Sequence, residues 1–193
     1  MCIRDSICCT SGNAVSVVRS LDNDKILFTP DRNLGGWVAK QLPEKDVVIY
    51  DGVCPTHDVL REASLDKSRN SHPEAVIIAH PECREDVLQL ADEICSTAGM
   101  FDAVSRHPEA GTFIVATEWA LVYRLRLAYP DKEFVMADGC IGCRLHCRYM
   151  KMIDLPQIKR SLEEDVFEVL VDEEVAGGAR RSLERMLAVP RDN

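Results

Sequence analysis

Residues 75–83 read AVIIAHPEC, and this stretch decides the fold class. Val76, Ile77 and Ile78 are β-branched, and no polar residue alternates with them. An apolar run this short suits a strand covered on both faces, as in a parallel sheet flanked by helices. Four further runs have the same character: 25–29 (KILFT), 46–50 (DVVIY), 112–116 (TFIVA) and 133–137 (EFVMA). Between them lie amphipathic stretches expected to be helical, at 14–21, 34–41, 58–68, 84–91, 101–106 and 118–129. No tight hairpin signal joins the strands, so the order reads as βαβ units with parallel sheets. Further on, 155–164 and 172–189 predict two more helices around an extended run at 167–171. The second carries Gly177-Gly178, at roughly 1 kcal/mol per glycine relative to alanine. Its apolar residues Val175, Leu183, Met186 and Leu187 need a surface to pack on.

The chain has 193 residues, enough for one or two domains, and its 46% apolar content is enough to bury a core. Lys and Arg number 23 against 32 Asp and Glu, a formal net charge of −9. That balance argues against general binding to nucleic acid or an anionic membrane. Anionic ligands would need a local positive site. No apolar run is long enough for a membrane span, and the first residues lack the apolar stretch of a secretory signal. The nine cysteines are an odd number in a chain too long to need disulfide staples. A reducing cytoplasm, with thiols available for metal or redox chemistry, is the expectation.

A faint repeat runs through the chain. Cys9-Thr10-Ser11-Gly12, a helix, KILFT, a second helix and DVVIYDGVC lead to Cys54. Cys95-Ser96-Thr97-Ala98, a helix, TFIVA, a helix and EFVMADGC follow the same order to Cys140, 86 residues beyond Cys54. Two copies of one α/β unit, each delivering a cysteine after its last strand, account for this.

Ligands in open α/β sheets bind outside the carboxyl ends of the strands. Four groups stand there or at helix entries. Cys140, Cys143 and Cys147 form a C-x-x-C-x-x-x-C loop. It reads as a zinc or iron–sulfur site, or alternatively as plain thiols; His146 is available as a fourth ligand but is adjacent to Cys147. Cys54 before Pro55, with His57 nearby, carries a functional signal only in combination; alone it reads as a buried structural cysteine. His80-Pro81-Glu82 places an imidazole and a carboxylate in one turn, for acid–base work or for a hydrogen-bonded turn. Thr10-Ser11 and Ser96-Thr97 are anion-binding helix entries or ordinary caps.

Taken together, 10–14 (TSGNA), 25–41 (KILFTPDRNLGGWVAKQ), 52–57 (GVCPTH), 80–83 (HPEC), 96–97 (ST) and 147–152 (CRYMKM) resemble bacterial quinolinate synthase. The resemblance runs from about Ile7 to the helix at 180–187 and matches roughly the last three-fifths of the family. Met1 to Ser6 match nothing there, which is the pattern expected of a truncated reading frame lacking the first domain.

The resemblance implies repeated three-layer α/β sandwich domains with short parallel sheets, arranged with pseudo-symmetry. It places a second domain at 1–53, incomplete at its N-terminus, a third at 54–147, and a helical tail at 148–193. It implies condensation of iminoaspartate with dihydroxyacetone phosphate to quinolinate in NAD biosynthesis, with a [4Fe–4S] cluster whose open iron is a Lewis acid. L-aspartate oxidase is the candidate source of iminoaspartate. Cys54 and Cys147 are the implied cluster ligands, a further ligand lying outside this chain. Ser11, His57, His80, Glu82 and Thr97 are the implied substrate-binding residues, with His80 and Glu82 catalytic. Some relatives carry C-x-x-C-x-x-C, whereas here the last gap holds three residues and Arg148 stands where Pro is common. Cys140 and Cys143 are then left as a redox pair. The isolated chain is expected to be inactive. The alternative is a non-catalytic module that binds metal or switches redox state through Cys140, Cys143 and Cys147; it needs neither Cys54 nor His80-Pro81-Glu82.

Overall fold

A computed structural model describes residues 6–137 and 145–191; Cys140 and Cys143 lie outside the described residues. The chain divides into two compact units, Cys9–His146 with Arg191–Asn193, and Met1–Cys8 with Cys147–Pro190.

The larger unit alternates helices and strands. In chain order it comprises α1 (Ala14–Arg19), β1 (Lys25–Phe28), α2 (Arg32–Gln41), β2 (Asp46–Ile49), α3 (Pro55–Asp58), α4 (Glu62–Ser71) and β3 (Val76–Ala79). It continues with α5 (Glu85–Leu88), β4 (Glu93–Ile94), α6 (Gly99–Arg106), β5 (Thr112–Ala116), α7 (Trp119–Ala128) and β6 (Glu133–Met136). Among the described residues all strand pairs are parallel. β1 and β2 make one sheet, and the other runs in the order β4-β3-β5-β6. The α1–β1–α2–β2 and α6–β5–α7–β6 stretches share one element order and end in a parallel pair, matching the sequence repeat.

The four-stranded sheet is the centre of a three-layer sandwich. Ile77, Ala79, Ile114 and Ala116 face one side and pack with Leu65, Val87 and Leu88 of α4 and α5. Ile78, Phe113 and Val115 face the other and pack with Met100, Val104, Leu121 and Leu125 of α6 and α7. Alternate side chains of a strand point to opposite faces, so an unbroken apolar run is what two covered faces require. The β1–β2 sheet departs from that expectation. Phe28 packs with Ala14, Val18, Leu34 and Val38 on one face, whereas Leu27 is 69% and Val48 41% exposed. Its apolar run therefore has a covered face and an open one.

Other differences are local. The helix expected at 84–91 is the short α5, because the chain turns to lay down β4, a strand too brief to show as an apolar run. Asp92 Oδ2 accepts from Ile77 N–H (2.8 Å) and ties that turn to β3.

The smaller unit holds α8 (Leu155–Glu164) and α9 (Glu173–Leu187). Asp154 and Gln157 form a capping box at the head of α8. Residues 167–171 carry no strand. The buried positions of α9 are Gly178 and Ser182; the Ser182 carbonyl accepts from Cys8 N–H, and its hydroxyl donates to Ser6 O. Val175, Leu183 and Leu187, expected to be covered, are exposed. Among the described residues, no helix is long and apolar enough to cross a membrane.

Ile114 pairs with Ile77 in register at the middle of the sandwich, and both are fully buried. Ile114→Ala is expected to lower unfolding stability by about 2–5 kcal/mol, read from the urea midpoint; a loss below 1 kcal/mol would mean that this layer is not close-packed.

Candidate functional site

The turn after β3 builds one wall of the site. His80 N–H donates to Ala116 O (3.1 Å), extending the β3–β5 ladder, and Cys83 N–H closes back on His80 O (2.9 Å). The Cys83 thiol donates to Ala116 O, and burial pushes its pKa up to about 12, so it is a structural donor. Glu82 N–H donates to His80 Nδ1 (3.3 Å), which leaves the ring proton on Nε2. That proton points to Ser11 Oγ at 3.0 Å. Burial, and then the neighbouring His57 cation, pull His80 down to about 4, keeping it neutral near pH 7.

The second wall follows β2. Asp31 caps α2, accepting from Leu34 N–H (2.7 Å), and its other oxygen accepts from Cys54 N–H (2.7 Å). One buried carboxylate thus fixes both the start of α2 and the backbone of Cys54. Pro55 opens α3, where its missing N–H is no loss, and the short helix turns His57 inward.

His57 is where the walls meet. Its Nδ1 lies 3.2 Å from Cys54 Sγ and 3.1 Å from Glu82 Oε2. Its Nε2 lies 3.0 Å from the hydroxyl of Thr117, which is fully buried just past β5. The His57 and His80 rings stack with centroids 4.6 Å apart. Burial alone would lower the pKa of His57, but Cys54 and Glu82 outweigh it and raise the imidazole to about 9. The same contacts work in reverse: burial raises Cys54 and Glu82, and His57 more than offsets it, leaving both below their usual values. Asn33 fastens the cluster by donating to Asp58 Oδ1 and Glu82 O. The Cys54, His57 and Glu82 donor atoms all lie within 4.8 Å of one another, close enough to hold a metal ion.

Ser11 joins this cluster to a cavity of about 650 Å³ lined by Gly12, Trp37, Pro81, Ser96 and Arg106, among others. Two equivalent turns face each other there. Asn13 Oδ1 ties back Thr10, Ser96 Oγ accepts from Gly99 N–H, and a Cβ on Gly12 would meet Ser96 Oγ at 3.3 Å.

Ser11, Cys54, His57, His80 and Glu82 are therefore brought together. Thr97 is exposed, between Ser96 and Ala98, which line the cavity. Cys147 is half-buried in the smaller unit. Asp31, Asn33 and Thr117 belong to the cluster but were not singled out by sequence. For Thr117 the signal was its place after a strand, the same rule that picks out the other residues; for Asp31 it was an N-cap residue before a helical run.

The sequence profile of the NadA family, the quinolinate synthetase A protein, matches residues 2–188. The chain belongs to this family. It is 45% identical over 186 residues to the quinolinate synthase of Geotalea uraniireducens, covering 96% of this chain and 59% of that protein. It is 46% identical over 184 residues to quinolinate synthase 1 of Methanosarcina acetivorans, covering 95% and 58%. With the quinolinate synthase of Caldicellulosiruptor saccharolyticus the identity is 40% over 185 residues, covering 95% and 59%. The chain thus spans about three-fifths of the length of these relatives.

Asp31 serves both α2 and Cys54, so Asp31→Ala is expected to cost about 1–2 kcal/mol, the upper range for a lost N-cap. Asp31→Asn, which keeps an acceptor for Leu34 N–H, is expected to recover most of that loss. Urea midpoints of the three proteins test this, and an unchanged midpoint in Asp31→Ala would show that the carboxylate organises neither segment.

Proposed function

We propose that this chain supplies the later part of a quinolinate synthase, condensing iminoaspartate with dihydroxyacetone phosphate to quinolinate in NAD biosynthesis. The observation that carries the reading is the convergence of Ser11, Cys54, His57, His80 and Glu82, drawn from two strand ends and a helix entry, beside one cavity. The alternative module on Cys140, Cys143 and Cys147 has no use for that convergence. A cytoplasmic location, and supply of iminoaspartate by L-aspartate oxidase, accompany the enzyme reading.

The residues have defined work in it. Ser11 accepts the His80 proton, so its own hydroxyl proton is available to an anionic group in the cavity. Thr97, next to Ser96, is the second hydroxyl proposed for the substrate anions. His57 and Glu82 share a proton at 3.1 Å and can pass it to or from a substrate oxygen. Neutral His80 holds Ser11 and stacks on His57, which keeps a second positive charge out of the pair.

The resemblance calls for a [4Fe–4S] cluster, and the donor chemistry at Cys54 fits one of its corners. A cluster ligand must give up its thiol proton, and the His57 contact holds Cys54 below the usual thiol range. Cys147 is the proposed second ligand, with Cys140 and Cys143 a redox pair. When bound, the cluster supplies a Lewis-acidic iron. Two cysteines do not complete the ligand set, so the 193-residue chain alone is proposed to be inactive.

The test uses the longer polypeptide that also carries the part of the relatives' length this chain does not span. Glu82→Gln there is expected to lower kcat by roughly 10²-fold without altering the cluster's visible absorbance. Near-normal turnover would return His80-Pro81-Glu82 to a structural turn. In the same anaerobic assay, after reconstitution with iron and sulfide, the 193-residue chain is expected to form no quinolinate. Clear product from it would overturn the incomplete-site reading.

A further inference from the structure

The two stretches that form the repeat correspond residue for residue. Lys25 and Asp46 pair across β1 and β2 as Thr112 and Glu133 pair across β5 and β6, an offset of 87 positions. The connections keep that offset. Asp46 N–H donates to Asp24 O and Glu133 N–H to Gly111 O, both at 2.8 Å. Asp31 and Glu118 each cap the helix that follows through the side chain. Lys45 Nζ donates to Leu21 O and Asn23 O, and Lys132 Nζ donates to the corresponding Pro108 O and Ala110 O. The neighbours of β5 therefore show what β1 is built to meet.

The two units differ on one side. Phe28 and its counterpart Val115 are both buried, against α1 and α2 in one unit and α6 and α7 in the other. Leu27 is 69% exposed, whereas its counterpart Ile114 is fully buried. Ile114 has Ile77 of β3 opposite it and packs with Leu65 of α4. Val48 is exposed, while its counterpart Val135 packs against that same core. Among the described residues β1 has one strand neighbour, β2, whereas β5 lies between β3 and β6. An apolar face beside an unpaired strand edge is a surface for pairing and burial.

We propose that the free edge of β1 and the face carrying Leu27 and Val48 are the docking surface for the segment just ahead of Ile7 in the longer polypeptide. That segment supplies a strand parallel to β1 and, before it, a helix laid over Leu27 and Val48, as β3 and α4 do for β5. At the same offset, the counterparts of α4 and β3 fall within roughly 35 residues ahead of Ile7. The relatives have room for them, since this chain covers 59% of the Geotalea uraniireducens protein. The residue opposite Leu27 corresponds to Ile77 and is expected to be apolar. A second copy of this chain is the poorer occupant: a twofold pair would set β1 antiparallel to itself, whereas β3 meets β5 in parallel. The proposal rests on the reading of this chain as the later part of a longer enzyme. It adds which surface receives the earlier part and which segment lies there.

The test uses the longer polypeptide, with this chain's numbering. Alkylation rates, read by peptide mass, are compared for Leu27→Cys, Ile114→Cys and Glu44→Cys, Glu44 being exposed in the turn before β2. Leu27→Cys is expected to label at least about tenfold more slowly than Glu44→Cys, because a covered thiol reacts only through local opening. Labelling at the Glu44→Cys rate would overturn the proposal. The occupant is identified with photo-leucine, a diazirine analogue incorporated in place of leucine, which leaves the fold intact where a cysteine does not. Residues 26–32 form one tryptic peptide with Leu27 as its single leucine. That peptide is expected to cross-link to the segment just ahead of Ile7. Cross-links to a second, isotope-labelled copy, or only to parts farther upstream, would overturn the proposal. Neither readout involves iron or quinolinate, so failure here is separate from failure of the enzyme reading.

Discussion

One buried imidazole, that of His57, has three claims on its two nitrogens. Cys54, Glu82 and Thr117 arrive from the ends of β2, β3 and β5, and each is held to the ring at 3.0–3.2 Å. The rest of the site depends on this sharing. A buried imidazole left without partners costs on the order of 1–3 kcal/mol, so the three strand ends are fixed together by the same groups that can do chemistry. The β3–β5 ladder sets the distance between Glu82 and Thr117, Asp31 fixes the backbone of Cys54, and Asn33 ties the start of α2 to the Glu82 turn.

The electrostatics follow from that geometry. Two stacked imidazoles cannot both hold a charge in a buried site, and the structure resolves the conflict by unequal surroundings. His57 meets a carboxylate and a thiol and stays protonated to about pH 9, while His80 meets Ser11 and is neutral above about pH 4. The His57 cation is balanced within the cluster by the Glu82 carboxylate 3.1 Å away, so its charge is spent on holding the group together.

Much of this was legible in the sequence, for identifiable reasons. The runs AVIIA and TFIVA gave β3 and β5 because both faces of those strands are covered, so no polar residue interrupts them. The strand-end rule then led directly to Cys54, His57, His80 and Glu82. β4 escaped because two residues cannot carry a periodic signal. Thr117 escaped because a threonine after a strand looks like any β-branched residue until its hydroxyl is seen to face a ring nitrogen. The open face of β1–β2 escaped because Leu27 and Val48 are as apolar as residues in a covered strand. Which of Ser96 and Thr97 lines the cavity depends on a half-turn of backbone that adjacent hydroxyl residues do not encode.

The proposed role of Cys54 as a cluster ligand is tested by iron content and visible absorbance of the anaerobically purified longer polypeptide, compared with its Cys54→Ser, Cys143→Ser and Cys147→Ser variants. One [4Fe–4S] cluster is expected in the parent and in Cys143→Ser, and none in Cys54→Ser or Cys147→Ser. A full cluster in Cys54→Ser would show that Cys54 holds no iron. Loss in Cys143→Ser with retention in Cys147→Ser would move the second ligand to Cys143.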